Sequence, residues 1–429
     1  MNLWDKVQHS DVFRSVFRHG PPTNPKEQAE LVSENFFMHI HSAKVHENVL
    51  RFRTTLGLGL ISLYLLIILA FTGTLLMFYY VPATNYAYAN IKDLEFAVTY
   101  GRLLRAAHRW AAHLMVAAVF LHMCRVFYTA SYKKPREFNW AIGVVLFMLT
   151  LFLSFTGYLL PWDQLAFWAI TVGTGIAGYA PLIGNGTREL LLGGTTVGQQ
   201  ALIRFYVLHV MVLPGIMVLL LGLHFWRVRK DGGLARPATD PEIDALRPSL
   251  PSTIPKGDVF PTSKTYGLMA LVKKGRIASV DTGPENTVLT WPHVVIRECA
   301  LFLAVVLGIW VLAMVFPAPL EEPANPISPP NPAKAPWYFL GLQELVSHSA
   351  LLGGVVIPAL MVGALLVLPY IDRNPKGIGV WFHRSRRLAI VVFTAIVLIN
   401  VALIVVGTYF RGPNWHLFWP WDVPAGGGH

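Results

Sequence analysis

Residues 103–128, LLRAAHRWAAHLMVAAVFLHMCRVFY, form an apolar run long enough to cross a bilayer, and His108, His113 and His122 lie within it. An ionisable side chain at membrane depth is costly and marks a functional site by default. His108 and His122 are 122 − 108 = 14 residues apart. At about 100° and 1.5 Å per residue a helix returns them to nearly one face, roughly 21 Å apart along its axis. A second apolar run, residues 202–226, carries His209 and His224, which are 224 − 209 = 15 apart. Neutral imidazole is a strong metal ligand, and two matched pairs suit two stacked haems, each clamped between the two helices. A single membrane histidine can instead bond a backbone carbonyl or pair with a carboxylate. Two runs with nearly equal intervals argue against coincidence. His113, five residues from His108, lies about 140° round the helix and reads as a packing residue rather than a ligand.

The neighbouring runs repeat the interval. Gly59 and Gly73 are 73 − 59 = 14 apart, and so are Gly143 and Gly157, at 157 − 143 = 14. Glycine removes the side chain and lets a flat macrocycle approach the backbone. Small residues also favour plain helix contact between membrane spans, but that role does not require the glycine interval to equal the histidine interval.

These elements belong to a membrane protein. Of 429 residues, 54% are hydrophobic and only 14% charged, which no single soluble core requires. Seven runs reach the roughly 20 apolar residues a span needs: about 56–79, 103–127, 140–160, 202–226, 298–317, 351–371 and 388–410. The expected fold is therefore all-α: a four-helix transmembrane haem-binding bundle followed by a three-helix transmembrane segment. The expected divisions are an N-terminal segment 1–55, a four-helix di-haem domain 56–226, a linker 227–297, a three-helix domain 298–410 and a tail 411–429. No cleavable signal is visible, because about 55 polar residues precede a first run of full spanning length.

Positive charge sets orientation. Arg51, Arg53, Arg125, Lys133, Lys134, Arg136, Arg227, Arg229, Lys230, Arg373, Lys376, Arg384, Arg386 and Arg387 all fall on one side, with the basic 231–297 segment. The other side holds chiefly Lys92, Arg102, Arg188 and Lys334. The N-terminus is therefore expected inside, in a bacterial-type inner membrane. The net charge of +11 reflects this asymmetry and anionic lipid, not nucleic-acid binding. The second and fourth spans both run inward, so His108 pairs with His209 at an outer level and His122 with His224 at an inner one. Arg105 and Arg125, each three residues from a candidate ligand, suit anionic haem propionates, or plain snorkelling to the interface.

Elsewhere the chain is less specific. Trp4, Val7, Phe13, Val16 and Phe17 fit a loose helical stripe for an interfacial helix, while His39, His41 and His46 read as solvated. Cys124 and Cys299 lie in or beside apolar helices and read as packing residues. Two cysteines cannot build an iron–sulfur site of the usual Cys₄ kind, and no Cys-x-x-Cys-His occurs. The final WHLFWPWDVPAGGGH reads as an interfacial anchor or a subunit contact.

Taken with the histidines, HRW at 108–110, KKPRE at 133–137, GYLLPWDQLAFW at 157–168, RFYVLH at 204–209 and WYF at 337–339 closely resemble cytochrome b of the quinol-oxidising Rieske/cytochrome bc complexes, over roughly residues 45–410. The 15-residue interval and the PWDQ wording resemble the chloroplast-type branch, with its four-helix cytochrome b and three-helix subunit four fused in one chain. The resemblance implies two non-covalent b-type haems on His108, His122, His209 and His224, with Gly59, Gly73, Gly143 and Gly157 giving clearance and Arg105, Arg109 and Arg125 beside the cofactors. It implies an outer quinol pocket of Gly157, Tyr158, Pro161, Trp162, Phe167, Trp168, Trp337 and Tyr338. It also implies electron bifurcation, proton translocation, a Rieske iron–sulfur protein, a c-type cytochrome or equivalent acceptor, and a homodimeric complex in the lipid membrane.

Two positions depart from the family pattern. Where it has Pro-Glu-Trp-Tyr, this chain has Ala335-Pro336-Trp337-Tyr338, so the usual proton acceptor is missing. Glu344, seven residues after Trp337, is the candidate replacement, with an interfacial carboxylate as the alternative; Asp163 is a weaker candidate. The change leaves the quinone open, with menaquinone the expectation. The chloroplast-type branch also carries a covalent extra haem, but counting 16 back from Gly73 reaches Gly57, which has no thiol, so two haems are expected. Two other classes compete. One is a di-haem anchor of a dehydrogenase or hydrogenase, without bifurcation and without the PWDQ and WYF pocket. The other is a transporter with a histidine proton relay.

Overall fold

A computed structural model describes residues 41–231, 233–236, 287–419 and 421, with 24–35 and the single positions 10, 22 and 38. The proposed amphipathic stripe of Trp4 to Phe17 lies outside these residues, as do most of the 227–297 segment and the last residues of the tail. Every expected apolar run is a helix long enough to span: Leu58–Met77, Gly101–Tyr128, Glu137–Tyr158, Gln199–Lys230, Thr290–Val315, Leu352–Ile371 and Arg384–Tyr409. The all-α membrane architecture follows from their length and composition.

The chain divides into two compact units, and the larger comprises Gly57–His224, Leu301–Gly377 and Trp381–His429. Within it, Ala106, Ala107, Ala111 and Ala118 of the second span are buried with Leu65 and Ile68 of the first and Ile309 and Ala313 of the fifth. Lipid tails are as apolar as leucine, so spans gain by close backbone approach, which alanine permits. A second cluster sets Ile142, Leu146 and Leu149 of the third span against Met217 of the fourth. Outward faces carry large exposed apolar residues such as Leu219, Leu360 and Leu398, as lipid contact requires. Among the non-spanning elements, a lateral helix Gln164–Gly178 follows the third span, and a short helix Trp337–His348 precedes the sixth.

At the end opposite the PWDQ turn, the larger unit closes on a buried ionic knot. Asp372 accepts hydrogen bonds from Tyr132 Oη at 2.5 Å and Arg386 Nε at 3.2 Å, and Lys133 Nζ lies 2.9 Å from its carboxylate. Arg386, 3% exposed, also donates to the Phe127 carbonyl at 2.8 Å. Burial works to raise the Asp372 pKa, but these donors hold it below the ordinary carboxylate range. Asp372→Asn is expected to destabilise the protein by about 2 kcal/mol, since it strips two buried cations of their counter-charge. The midpoint of thermal denaturation in detergent reads this directly.

The smaller unit comprises Met1–Leu56, Phe225–Ala300 and Ile378–Val380. Its described part pairs strand Lys44–His46 antiparallel with Thr287–Leu289. His41, expected to be solvated, instead bonds Glu298 at 3.1 Å, which raises its pKa above the usual imidazole value. His46 caps the next turn, its Nδ1 accepting from the Asn48 amide at 3.1 Å.

Candidate functional site

The four histidines and four glycines meet one to one. A Cβ added at Gly73 would stand 3.1 Å from His108 Cε1, at Gly59 3.1 Å from His122 Cε1, at Gly157 2.5 Å from His209 Cε1, and at Gly143 3.8 Å from His224 Cε1. The first span therefore makes room for the imidazoles of the second, and the third span for those of the fourth. Gly73, His108, His209 and Gly157 define one level; Gly59, His122, His224 and Gly143 define the other. At the first level the His108 and His209 rings face each other at 6.3 Å between centroids and 78° between planes. Metal–imidazole bonds of about 2 Å on both sides are compatible with that gap. His122 and His224 are likewise within electrostatic range of each other.

Hydrogen bonds assign the tautomers at the His108–His209 level. Thr72 Oγ1 donates to the Ile68 carbonyl at 2.7 Å, so at 2.9 Å from His108 Nδ1 it must accept. Thr156 Oγ1 donates to the Phe152 carbonyl at 2.9 Å, and His209 Nδ1 lies 3.1 Å both from that hydroxyl and from the Leu153 carbonyl. Both Nδ1 atoms therefore carry the proton, which leaves each Nε2 lone pair for a metal. This is the usual outer support of a metal-binding imidazole. At the other level His122 Nδ1 is buried with no hydrogen-bond partner among the described residues. Sequence reasoning passed over Thr72 and Thr156. Their signal is a Thr directly before one of the spaced glycines, at 72–73 and 156–157; Thr-Gly alone also occurs at 174–175 and 282–283.

The unequal intervals, 14 and 15, are reconciled by the backbone. Residues Leu208–Val212 form a π-helical turn, closed by the Leu213 amide on the Leu208 carbonyl. Such a turn inserts one residue into an α-helix and is common at functional sites. Pro214 follows it and lacks the amide that would bond residue 210. The extra residue is absorbed locally, so His209 and His224 stay on one face as His108 and His122 do.

Cofactor-side arginines fare differently. Arg105 is buried, paired with Glu95, and donates to the Ala318 and Pro319 carbonyls at 3.0 and 2.6 Å. Its guanidinium is engaged by protein groups, not poised for a propionate. Arg125 is buried within electrostatic range of His122. Arg109 lies within range of Tyr158, Tyr338 and Asp163.

The pocket residues form two groups. Pro161 leads into a turn where Trp162 is left-handed, with φ of 54°, a conformation that costs a non-glycine residue about 1–3 kcal/mol. Asp163 then caps the lateral helix by accepting from the Ala166 amide at 2.9 Å, and also accepts from the Glu321 amide at 3.3 Å; burial raises its pKa. Trp162, Phe167 and Trp168 touch edge to face at 6.1 and 5.5 Å. The indole nitrogen of Trp168 is buried without a partner among the described residues. The second group gathers at the short helix, where Ser154 donates to the Tyr338 hydroxyl at 2.8 Å and Trp337 Nε1 donates to His113 Nδ1 at 3.1 Å. His113 thus belongs to this group, a placement that its interval from His108 could not reveal.

Glu344 occupies surroundings unlike those of a free base. It is 2% exposed, held by both the Nε and Nη2 of Arg411, and it accepts from Trp415 Nε1 at 3.0 Å. Burial opposes its ionisation, but the Arg411 hydrogen bonds and charge prevail and keep the carboxyl below its usual pKa. Gly57, where a covalent haem would need a thiol, opens the first span at φ of 63°, a conformation suited to glycine.

Fold and site together define a class: a seven-span integral membrane protein in which histidines of two spans meet at two levels, each admitted by a glycine. A family model described as cytochrome b (N-terminal)/b6/petB matches residues 113–323, and one described as cytochrome b (C-terminal)/b6/petD matches 323–418. Cytochrome b6 of Heliobacterium modesticaldum is 45% identical over 175 residues, 41% of this chain and 82% of that protein. Cytochrome b6 of Euglena gracilis is 44% identical over 175 residues, 41% and 81% of the two chains. A chain of a solved structure titled "Hyperthermophilic respiratory Complex III" shares the fold, with a TM-score of 0.66 at 24% identity over 95% of this chain and 91% of that one. This chain belongs to the cytochrome b family, its N-terminal and C-terminal portions fused in one polypeptide, and the family implies haem b binding.

Proposed function

We propose that the protein is the di-haem cytochrome b subunit of a quinol-oxidising bc-type complex. The observation that carries this reading is the fourfold glycine–histidine match at two levels. The side chains present fit b-type haem: two imidazoles per level, a glycine beside each ring, and Nε2 freed at His108 and His209. Each haem, when bound, supplies a one-electron relay whose potential the axial ligands and burial tune. The Tyr158, Trp162, Phe167 and Trp168 side and the Trp337–Tyr338 side supply flat, largely apolar walls for a quinol ring, with the Trp168 indole as a spare donor. Quinol is oxidised near the outer face; one electron leaves to a Rieske iron–sulfur partner and on to a c-type cytochrome, and the haems that His108 with His209 and His122 with His224 would hold would supply the path of the other towards quinone. Menaquinone is the proposed quinone. Moving one charge through the membrane potential stores about 2.3 kcal/mol per 100 mV, which supports proton translocation. The charge bias of the loops supports an N-terminus inside, and the complex is proposed to be dimeric.

The test is a pyridine haemochrome count with quinol:acceptor assays on the isolated complex. Two extractable haems per chain and quinol turnover support the reading; one haem, or a covalent one, overturns it. His122→Leu is expected to empty the inner level alone, halving the haem content, while the outer b-band persists in reduced-minus-oxidised spectra.

A further inference from the structure

Quinol oxidation releases protons as well as electrons, so a base must stand beside the ring. Among the described residues near the Trp337–Tyr338 wall, most ionisable groups are disqualified. Glu344 is locked by Arg411 and Trp415. Asp163 is spent on the Ala166 and Glu321 amides. Tyr158 and Tyr338 are phenols, and Arg109 is a permanent cation. His113 remains. Its ring lies 5.5 Å from Tyr338 and 5.6 Å from Trp110, and its Nδ1 accepts the Trp337 indole proton. That bond leaves its own proton on Nε2 and shows Nδ1 as a working acceptor. Trp337 is 40% exposed, so the indole can swing away.

We propose that His113 Nδ1 is the proton acceptor of quinol oxidation, masked by the Trp337 indole until quinol takes its place. This rests on the quinol-oxidising reading above. As quinol displaces the indole, the quinol O–H bond breaks, an N–H bond forms at Nδ1, and the imidazole becomes imidazolium. The accompanying electron goes to the one-electron iron–sulfur acceptor of the Rieske partner. The charged and titratable groups facing His113 are Arg109 on its own helix and Tyr338 on the short helix; Tyr158 and Asp163 act on Arg109.

The experiment uses the intact complex with a short-chain naphthoquinol and, in parallel, a short-chain benzoquinol. His113→Gln is expected to slow oxidation about 100-fold, as loss of a general base does, and to abolish the acid limb of the pH profile, with both b-haem bands retained. His113→Glu should restore part of the rate, with the midpoint of the acid limb changed, since the titrating group is then a carboxyl and not an imidazole. A wild-type rate and profile in His113→Gln overturns the assignment. If that variant loses its haems, an unmoved limb in His113→Glu overturns it equally. A wild-type complex that keeps both haems yet oxidises neither quinol fails differently, because it removes the quinol reading itself.

Discussion

Gly157→Ala is expected to cost the His108–His209 level its haem, whereas Gly143→Ala should leave the His122–His224 level loaded. The added carbon at 157 would lie 2.5 Å from His209 Cε1, shorter than real contacts of such an atom, and 3.0 Å from Nε2. His209 cannot simply retreat, because Thr156 and the Leu153 carbonyl hold its Nδ1. Overpacking of this kind costs about 1–3 kcal/mol, and here the strain falls on a ligand ring. At 143 the same carbon meets His224 at 3.8 Å, an ordinary van der Waals distance. Haem content per chain should therefore fall from two towards one in Gly157→Ala and stay near two in Gly143→Ala. Gly59→Ala and Gly73→Ala, with contacts of 3.1 Å, should fall between. Equal haem contents across the four variants would refute the matching.

Arg411→Leu should destabilise the complex by about 3–5 kcal/mol, the usual cost of leaving a buried charge without its partner. Glu344 would be left with Trp415 Nε1, its own helix and the exposed His348, 3.5 Å away. The double variant Glu344→Leu/Arg411→Leu should recover part of the loss, since apolar replacement of a buried pair is often neutral or better. Thermal denaturation of the purified complex measures both. The pH dependence has a defined sign. The folded Glu344 pKa lies below the ordinary value of about 4.3, so its stabilisation is present above that value and disappears as pH falls through the lower folded one. Glu344→Gln separates anchor from base: an anchor loses thermal stability in step with any loss of turnover, while a base loses turnover with stability intact.

The anchor also ties residues 411–415, beyond the last span, to the short helix. Arg411 reaches back to Glu344 and donates to the Trp415 carbonyl at 2.9 Å, while Asn331 and Asn414 bond each other, Asn331 Nδ2 donating to Asn414 Oδ1 at 2.8 Å. Gly341 and Gly407 let the short helix lie close against the seventh span, where added carbons would meet Asn400 Nδ2 at 3.1 Å and Leu340 Cβ at 3.4 Å. The Trp337–Tyr338 wall is thus set by contacts far along the chain.

Local composition and interval were enough to determine the seven spans, the two histidine pairs and the four glycines, and short motifs carried the family resemblance. Hydropathy over about 20 residues and a 100° helical step are properties of the segment itself, and they survive without knowledge of any partner. Only the tertiary structure decided which glycine serves which imidazole, that a π turn absorbs the odd residue between His209 and His224, that Arg105 belongs to Glu95, that Glu344 is claimed by Arg411, and that His113 meets Trp337. Each of these depends on groups brought together from separate helices, whose pairing comes from packing and hydrogen-bond satisfaction across the bundle and so leaves no periodic mark in any one stretch of chain.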